Sequence, residues 1–259
     1  MLPFDLVAFH DLRRTQWAGA ELRYQASLPS TMDLAREAGR NGAHHGLVVL
    51  ADEQTAGRGR FGRRWVAPAA ANLTFTLLVR PALPVLEHLS MIAALAVGDA
   101  VAEVLGAYPD FKWPNDVQIA GRKLAGVLIE SEFQGERPAF ALIGIGLNVN
   151  AETAALPEIA PIAVSLRDVR GAALAREGLL AALLVAFEHW YACAPDPAVR
   201  AAWAAHLVTL GREIEVTFAG QIERGRAESV TESGALRLRR ADGSLVVLPA
   251  GEVTTRVER

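Results

Sequence analysis

The hydrophobic pattern changes near residue 210, and this change constrains the fold more than any other feature of the sequence. Before it, short apolar runs that indicate strands alternate with longer segments of helical periodicity. After it, strand-like segments follow one another, separated by turn residues that tolerate positive φ, at 219–220, 232–234 and 242–243. We therefore predict an α+β fold with one domain over residues 1–210 and a small β-barrel over residues 211–259.

The elements of both parts follow from the spacing of apolar residues. In the first part we expect strands at 47–51, 72–80, 117–119, 126–131 and 140–149, and helices at 87–106, 172–193 and 198–210. In the second part we expect strands at 213–218, 226–230, 235–239, 245–248 and 253–257. Gly106 stands where a C-cap would end the first of these helices.

Composition narrows the class of protein. With 259 residues and 51% hydrophobic content, the chain can bury a substantial core. No apolar run approaches the roughly 18–20 residues of a membrane span, so we expect a soluble cytoplasmic protein without a membrane partner. The single cysteine, Cys193, excludes an internal disulfide, and the six histidines lack the spacing of zinc ligands. A net charge of −3 does not imply general affinity for nucleic acid.

The segment at 57–65 reads Gly-Arg-Gly-Arg-Phe-Gly-Arg-Arg-Trp and joins two expected strands. Glycines allow backbone N–H groups to converge on an anion, and guanidinium groups bind phosphate oxygens in pairs. This arginine–glycine loop predicts a nucleotide phosphate site. Taken alone, it also fits a solvated basic loop or a segment that contacts RNA. We expect the loop to be mobile when empty and to order around a bound anion.

Five further stretches carry polar groups or glycines. Ser30 and Thr31 precede a helical segment, where either would serve as an N-cap, and Gln54 follows a strand end. Lys-Trp-Pro-Asn-Asp at 112–116 and Lys-Leu-Ala-Gly at 123–126 combine charges that suit a phosphate, a carboxylate and a divalent metal. The glycines of Gly-Ile-Gly-Leu-Asn at 144–148 lack the third glycine and following helix of a dinucleotide fingerprint. They instead indicate that a ligand or another strand approaches the backbone closely.

Placed in order, these stretches resemble the biotin protein ligase family from about Ser30 to the last residues, where Gly-Ala-Leu at 234–236 and Gly-Glu-Val at 251–253 resemble its SH3-like barrel. The resemblance implies a mixed sheet flanked by helices, a class II-synthetase-like catalytic domain. It also implies ATP-dependent biotinylation. Biotin and ATP give biotinyl-5′-AMP and pyrophosphate, and a lysine of a biotin carboxyl carrier domain then accepts the biotinyl group.

The resemblance also assigns roles to residues. Those implied for biotin are Ser30, Thr31, Met32, Gln54, Arg58, Gly59, Arg60, Lys123 and Gly126. Those implied for ATP are Arg58, Gly59, Arg60, Arg63, Trp65, Lys112, Asn115, Asp116 and Asn148. The expected catalytic set is Arg58, Arg60, Asp116 and Lys123, with Asp116 as a ligand of Mg²⁺ or as the base that receives the acceptor lysine's proton.

Two residues depart from the family pattern. Met32 stands where asparagine is common, which removes an amide from the expected ureido pocket, and Phe61 replaces a frequent basic residue. The 29 residues before Ser30 are fewer than a winged-helix domain needs, so we expect the monofunctional form without DNA binding. A homodimer is compatible with the resemblance. The alternatives are a lipoate- or octanoate-type ligase, whose Arg-Arg-x-Ser-Gly-Gly-Gly loop is absent, and a non-catalytic biotin or nucleotide sensor.

Overall fold

Two β-sheets organise the protein, whose computed structural model describes residues 2–255. The first is a seven-stranded mixed sheet in the order β1-β2-β3-β7-β6-β5-β4, in which β1 runs parallel to β2 and the other pairs are antiparallel. Its strands are β1 (Leu22–Leu28), β2 (Val48–Gln54), β3 (Leu73–Val79), β4 (Asp110–Lys112), β5 (Asp116–Ile119), β6 (Arg122–Gln134) and β7 (Arg137–Leu147).

Helices cover both faces of this sheet. They are α1 (Leu6–Leu12), α2 (Thr31–Arg40), α3 (Leu83–Leu86), α4 (Leu89–Leu105), α5 (Leu166–Arg170), α6 (Arg176–Cys193) and α7 (Pro197–Ala205). Helix α2 packs on β2, β3 and β7, whereas α4 packs on β5, β6 and β7 and is itself covered by α6 and α7. No helix within residues 2–255 is both long enough and apolar enough to cross a membrane.

Alternation along the strands separates two cores. On β2, Val48 and Leu50 belong to the large core beneath α4 and α6, while Val49 belongs to a smaller core beneath α2. All three side chains are fully buried, as expected for a strand that is covered on both faces. The face beneath α2 is therefore covered by a single ten-residue helix, which leaves part of it free to form a cavity.

The second sheet is antiparallel, in the order β11-β10-β9-β8-β12, and we call it the C-terminal sheet. Its strands are β8 (Glu213–Phe218), β9 (Gln221–Val230), β10 (Leu236–Arg239), β11 (Leu245–Leu248) and β12 (Glu252–Thr255). Trp113, at the end of β4, is 1% exposed and donates its indole N–H to the carbonyl of Gly234 at 2.9 Å. A buried tryptophan thus joins the two sheets.

The structure confirms the α+β class, the small C-terminal β module and the loop between two strands. Gly106 ends α4 in the left-handed conformation at φ 69°, as the sequence predicts. Two helix boundaries were wrong. Helix α6 begins at Arg176 and not at residue 172, because residue 174 donates its N–H to the side chain of Asn150. Helix α7 ends at Ala205, because the segment after it pairs with Phe111 of β4.

Several strands are longer than their apolar runs. Strand β6 extends from Arg122 to Gln134, and β9 begins at Gln221, because polar residues continue both hairpins beyond the apolar core. The turns at 219–220, 234 and 243 have positive φ, as predicted. The last expected strand is found as β12, and its predicted residues 256 and 257 lie outside the described part of the chain.

Candidate active site

A cavity of about 490 Å³ opens on the face of the sheet beside α2. This volume suits a small-molecule ligand. All fifteen residues that the sequence singles out as site residues line its wall: Ser30, Thr31, Met32, Gln54, Arg58, Gly59, Arg60, Arg63, Trp65, Lys112, Asn115, Asp116, Lys123, Gly126 and Asn148. Their meeting in one place is a finding of the structure, because they come from six separate stretches of sequence.

Three glycines form the floor of this cavity. On β7, Gly144 and Gly146 lie on the face beneath α2, and Gly126 of β6 pairs directly with Gly146. Thr74 and Thr76 of β3 pair with the same two β7 glycines from the other side. The sheet therefore presents backbone where side chains would otherwise fill the space, and we call Gly126, Gly144 and Gly146 the glycine floor.

Each glycine of the floor accommodates a side chain of the site. A β-carbon at Gly144 would lie 2.9 Å from the sulfur of Met32, and one at Gly126 would lie 2.9 Å from Nζ of Lys123. A β-carbon at Gly146 would lie 2.4 Å from the indole of Trp65. At Gly144 and Gly146 the sequence predicts close approach by a ligand or another strand, and in the structure the groups that approach are the side chains of Met32 and Trp65.

One end of the cavity is polar and uncharged. The side-chain carbonyl of Gln54 accepts from the backbone N–H of Thr31 at 2.7 Å and from its hydroxyl at 3.0 Å, which fixes the direction of the amide. Thr76 donates in turn to the Thr31 hydroxyl at 2.8 Å. Ser30 occupies the N-cap position of α2, but its side chain makes no capping hydrogen bond. Within residues 2–255, its hydroxyl and the Gln54 amide N–H groups are therefore free to bind a ligand.

The arginine–glycine loop folds over the cavity as a small hairpin. Arg58 bridges to Arg64, and Gly59 donates its N–H to the carbonyl of Arg63 at 2.7 Å. Two ion pairs tie this hairpin to its surroundings. The Arg58 guanidinium pairs with Asp33 of α2, and that of Arg63 pairs with Glu252 of the C-terminal sheet.

Arg60 reaches from the loop into the cavity. Its Nη1 lies 3.2 Å from the side-chain carbonyl oxygen of Asn115 and 3.3 Å from the carbonyl of Gly251. Both distances are at the long end of the hydrogen-bond range, so neither contact holds the guanidinium tightly. Burial lowers the pKa of Arg60, against the opposing effect of the Asp116 carboxylate. Arg60 nevertheless stays charged, because guanidinium groups keep their proton in proteins.

Lys123 and Asp116 form an ion pair on neighbouring strands, with 2.6 Å between Nζ and Oδ1. Oδ1 of Asp116 is buried and receives no hydrogen bond of acceptable geometry within residues 2–255. Asn115 donates to the carbonyl of Val127 at 2.7 Å, which fixes its side chain. No group of three or more His, Cys, Asp and Glu side chains converges anywhere in the described part of the chain, so a metal ion here would need ligands from a substrate.

The indole of Trp65 contributes a second unpartnered polar atom. Its Nε1 is buried and makes no hydrogen bond with any of the described residues. A buried indole N–H usually has a hydrogen-bond partner. A ligand oxygen or nitrogen that accepted from the Trp65 N–H would therefore be stabilised. Lys123 Nζ lies 5.9 Å from the centre of the same indole.

Asn148 has a structural part in this site. It is 4% exposed, and its amide donates to the carbonyls of Lys123 at 3.4 Å and Val164 at 3.3 Å while it accepts from Asn72 at 3.1 Å. The side chain therefore holds the strand that carries Lys123. The contact with a nucleotide that the resemblance implies for Asn148 stays a prediction.

Sequence reasoning missed several residues of the site. Asp33 has only the signature of a first-turn helix residue, yet it pairs with Arg58. Glu252 and Gly251 come from the opposite end of the sequence, and Ile159 and Ile162 form part of the far wall. A local pattern does not reveal these residues, because Asp33 meets Arg58, and the other four residues reach the cavity, only through tertiary structure.

Comparison with known proteins agrees with this arrangement. The chain matches the Biotin/lipoate A/B protein ligase family over residues 24–148 and the Biotin protein ligase C terminal domain over residues 209–256. A biotin–[acetyl-CoA-carboxylase] ligase of Paracoccus denitrificans is 40% identical over 79% of this chain and 88% of the relative. The enzyme of the same name from Mycobacterium tuberculosis is 37% identical over 85% of this chain and 83% of the relative.

Solved structures share the fold. The biotin protein ligase of Aquifex aeolicus in complex with biotin and ATP superimposes with a TM-score of 0.77 at 24% identity, over 92% of this chain and all of that one. The Leishmania major enzyme in complex with biotinyl-5-AMP gives a TM-score of 0.61 at 26% identity, over 89% of this chain and 99% of that one. Sequence relatives and architecture point the same way, and the chain belongs to the biotin protein ligase family.

Proposed function

We propose that the protein activates biotin with ATP and transfers the biotinyl group to a lysine of a biotin carboxyl carrier domain. In the first step a carboxylate oxygen of biotin attacks the α-phosphorus of ATP, and pyrophosphate leaves. In the second step the lysine amine attacks the carbonyl carbon of biotinyl-5′-AMP, which releases AMP and a proton. The observation that carries this proposal is a single cavity with an uncharged polar end and a cationic end.

The two ends match the two ends of biotin. The hydroxyl of Ser30 and the amide N–H groups of Gln54 can bind the ureido ring, and Lys123 can meet the carboxylate. Met32 lies over Gly144 and supplies a polarisable apolar surface for the body of the ligand. Its thioether cannot donate a hydrogen bond, so ureido recognition rests on Ser30, Thr31 and Gln54.

Activation brings two anions together, and positive charge must offset their repulsion. Lys123, Arg58 and Arg60 supply it at the cationic end, and Lys112 and Arg63 are the proposed contacts of the phosphates. Positioning and charge stabilisation then account for most of the acceleration, as in other reactions at phosphorus. The buried N–H of Trp65 and the face of its ring supply a surface for the nucleotide.

Mg²⁺ is the ion expected to accompany the nucleotide. It commonly binds one or two carboxylates together with substrate phosphates. Oδ1 of Asp116 is buried and pairs only with Lys123 among the described residues, so it fits such a ligand, and Asn115 is adjacent in the cavity wall. When bound, the ion would neutralise negative charge on the phosphates.

The second step requires a neutral amine, although a free lysine has a pKa of about 10.4. Asp116 is the proposed proton acceptor. An Asp116→Asn variant given preformed biotinyl-5′-AMP and the carrier domain tests this role separately from adenylation. Normal transfer by that variant would exclude Asp116 as the base, and transfer slowed at least tenfold would support it.

We also propose that the domain boundary lies between residues 210 and 211 and that the C-terminal sheet completes the active site. Gly251 and Glu252 line the cavity and contact Arg60 and Arg63 of the loop. This arrangement favours a role in closing the nucleotide site. A homodimer stays a prediction from the family resemblance.

ATP–pyrophosphate exchange tests the first step without a carrier. Biotin, lipoate and octanoate are added in separate reactions with ATP and Mg²⁺, and we expect exchange with biotin alone. Exchange with lipoate or octanoate but not with biotin would assign the protein to an acyl ligase of another specificity. No exchange with any of the three acids, from protein that is folded by circular dichroism, would favour a sensor.

A further inference from the structure

The tip of the arginine–glycine loop has an unusual backbone. Phe61 adopts φ 55° and ψ 34°, the left-handed region that aromatic residues rarely occupy. Such a conformation is strained for a residue with a bulky side chain, so it persists only where surrounding contacts maintain it. Its neighbour Gly62 is also left-handed, at φ 73°, and glycine tolerates this without strain. The strained position is thus filled by a large aromatic residue.

This backbone conformation places the Phe61 ring against the side chain of Arg60, the preceding residue. The guanidinium carbon of Arg60 lies 4.8 Å from the centre of the Phe61 ring, within the range of a cation–π contact. In an extended chain, adjacent side chains point to opposite sides, so the left-handed turn allows the contact. The other side of the ring faces outward, since Phe61 is 60% exposed. The ring both lines the cavity and covers one side of Arg60.

The polar contacts of Arg60 are too weak to hold it alone. Only Nη1 contacts protein acceptors, at 3.2 Å and 3.3 Å. Within the described residues, Nε and Nη2 make no hydrogen bond, so both are free to bind a ligand. A platform beneath the guanidinium plane would fix its direction and leave these donors available.

We propose that Phe61 is a positioning residue, whose ring holds the Arg60 guanidinium inside the cavity and so retains the acyl-adenylate. This inference rests on the proposed function. It explains why an aromatic residue stands at a strained position of a loop that is otherwise cationic. The acyl-adenylate is a mixed anhydride, and its retention protects it from water until an amine arrives.

A series of variants separates the ring from other effects. Phe61→Leu and Phe61→Ala keep the left-handed strain and remove the π system, while Phe61→Tyr and Phe61→Trp keep an aromatic face. Phe133→Ala is the matched control, because Phe133 is 52% exposed at the far end of β6 and does not line the cavity. The readout is the ratio of biotinyl-5′-AMP released to that retained per active site, which loss of folded protein does not change.

We expect Phe61→Leu and Phe61→Ala to raise the released fraction roughly three- to thirtyfold, the range that a cation–π contact of ordinary strength supports. Phe61→Tyr, Phe61→Trp and the Phe133→Ala control should release the same fraction as the wild type. If Phe61→Leu retained biotinyl-5′-AMP as well as the wild type, the proposal would be overturned, because an apolar side chain without a π system would then suffice. An unchanged ratio in every variant, with a raised KM for the carrier, would assign Phe61 to carrier docking and also overturn it.

A measurement without substrate distinguishes failure of this proposal from failure of the proposed function. The side-chain Nε–H resonance of Arg60, assigned with an Arg60→Lys variant, should show a ring-current shift that disappears in Phe61→Leu and persists in Phe61→Trp. Absence of that shift from the wild type would refute the platform even if the enzyme is active. Conversely, a clear shift in a protein inert toward all three acids would refute the proposed function and leave the platform in place.

Discussion

The indole of Trp65 lies directly on the backbone of Gly146, where a β-carbon would come within 2.4 Å of the ring carbon Cε2. The φ angle of Gly146 is not positive, so its backbone conformation is open to alanine. An alanine there would be opposed only by its steric clash with Trp65. The glycine is therefore required by the position of Trp65. Within residues 2–255 the Trp65 N–H makes no hydrogen bond, so this contact also fixes the position of a buried donor without a partner.

Gly146→Ala should displace Trp65 and weaken nucleotide binding. We expect the KM for ATP in pyrophosphate exchange to rise about tenfold, the effect of losing one stacking or hydrogen-bond contact. Gly178→Ala in α6 is the control, since a β-carbon there would meet only Leu12 at 3.9 Å. A variant that binds ATP as well as the wild type would show that Trp65 does not contact the nucleotide.

Lys123→Ala should impair the first chemical step more than binding. Loss of one group that stabilises developing charge typically lowers kcat about 10²- to 10³-fold. It would also leave Asp116 without its ionic partner. Arg122→Ala provides a matched control, because that cation is adjacent in sequence, exposed, and outside the cavity. An exchange rate within threefold of the wild type would remove Lys123 from the catalytic set.

Arg176→Leu should destabilise the fold strongly. Arg176 and Asp52 form a buried ion pair at 2.6 Å, with side chains 4% and 7% exposed, and Tyr24 also donates to this carboxylate. Removing one partner of a buried pair costs about 3–5 kcal/mol, because the remaining charge has no compensation. Denaturant unfolding measures the loss. For the exposed pair of Arg167 and Glu152, Arg167→Ala should cost no more than about 1 kcal/mol, and equal losses would contradict this account.

His45 should make stability depend on pH. Burial lowers the pKa of His45 from 6.5, and the nearby Arg80 charge acts in the same direction while Glu188 opposes it. Between the folded pKa and 6.5 the unfolded chain binds more protons, so the free energy of unfolding falls as the pH drops below 6.5. Protonation of Nδ1 would also break its hydrogen bond with the backbone N–H of Arg80.

Unfolding free energies at pH 7.5 and 5.5 test this prediction. His45→Gln keeps a hydrogen-bond acceptor and should reduce the difference between the two values. His44→Gln, at the exposed neighbouring position, should leave the difference unchanged. If both variants keep the pH dependence of the wild type, other groups account for it.

Local signals predicted much of the fold. Gly106 at the end of α4 and the turn at residues 242–243 require conformations that few residues adopt, so their positions are visible in the sequence. The cavity floor also leaves a local signal, because Leu142, Gly144 and Gly146 of β7, and Asn148 just after it, alternate with apolar residues. From the sequence we expected a ligand or another strand to approach the backbone at Gly144 and Gly146. Their spacing of two residues places both on the same face of the sheet.

Other features depend on partners far away in the sequence. Helix α6 begins at a buried arginine whose partner, Asp52, lies 124 positions earlier. Asp33 is 25 positions from Arg58, and Glu252 is far beyond Arg63. Charged residues at exposed helix and strand positions are common, so neither carries a recognisable pattern. Such contacts follow from the packing of the two sheets and not from local propensity.

Contacts between distant parts of the chain also determine how much of the chain must be synthesised before the active site can form. The cavity wall combines Ser30, at the start of α2, with Gly251 and Glu252 at the start of β12. A ribosome makes the first of these residues long before the last two. A nascent chain can therefore fold its central strands early, but it has no complete pocket until Glu252 has been added.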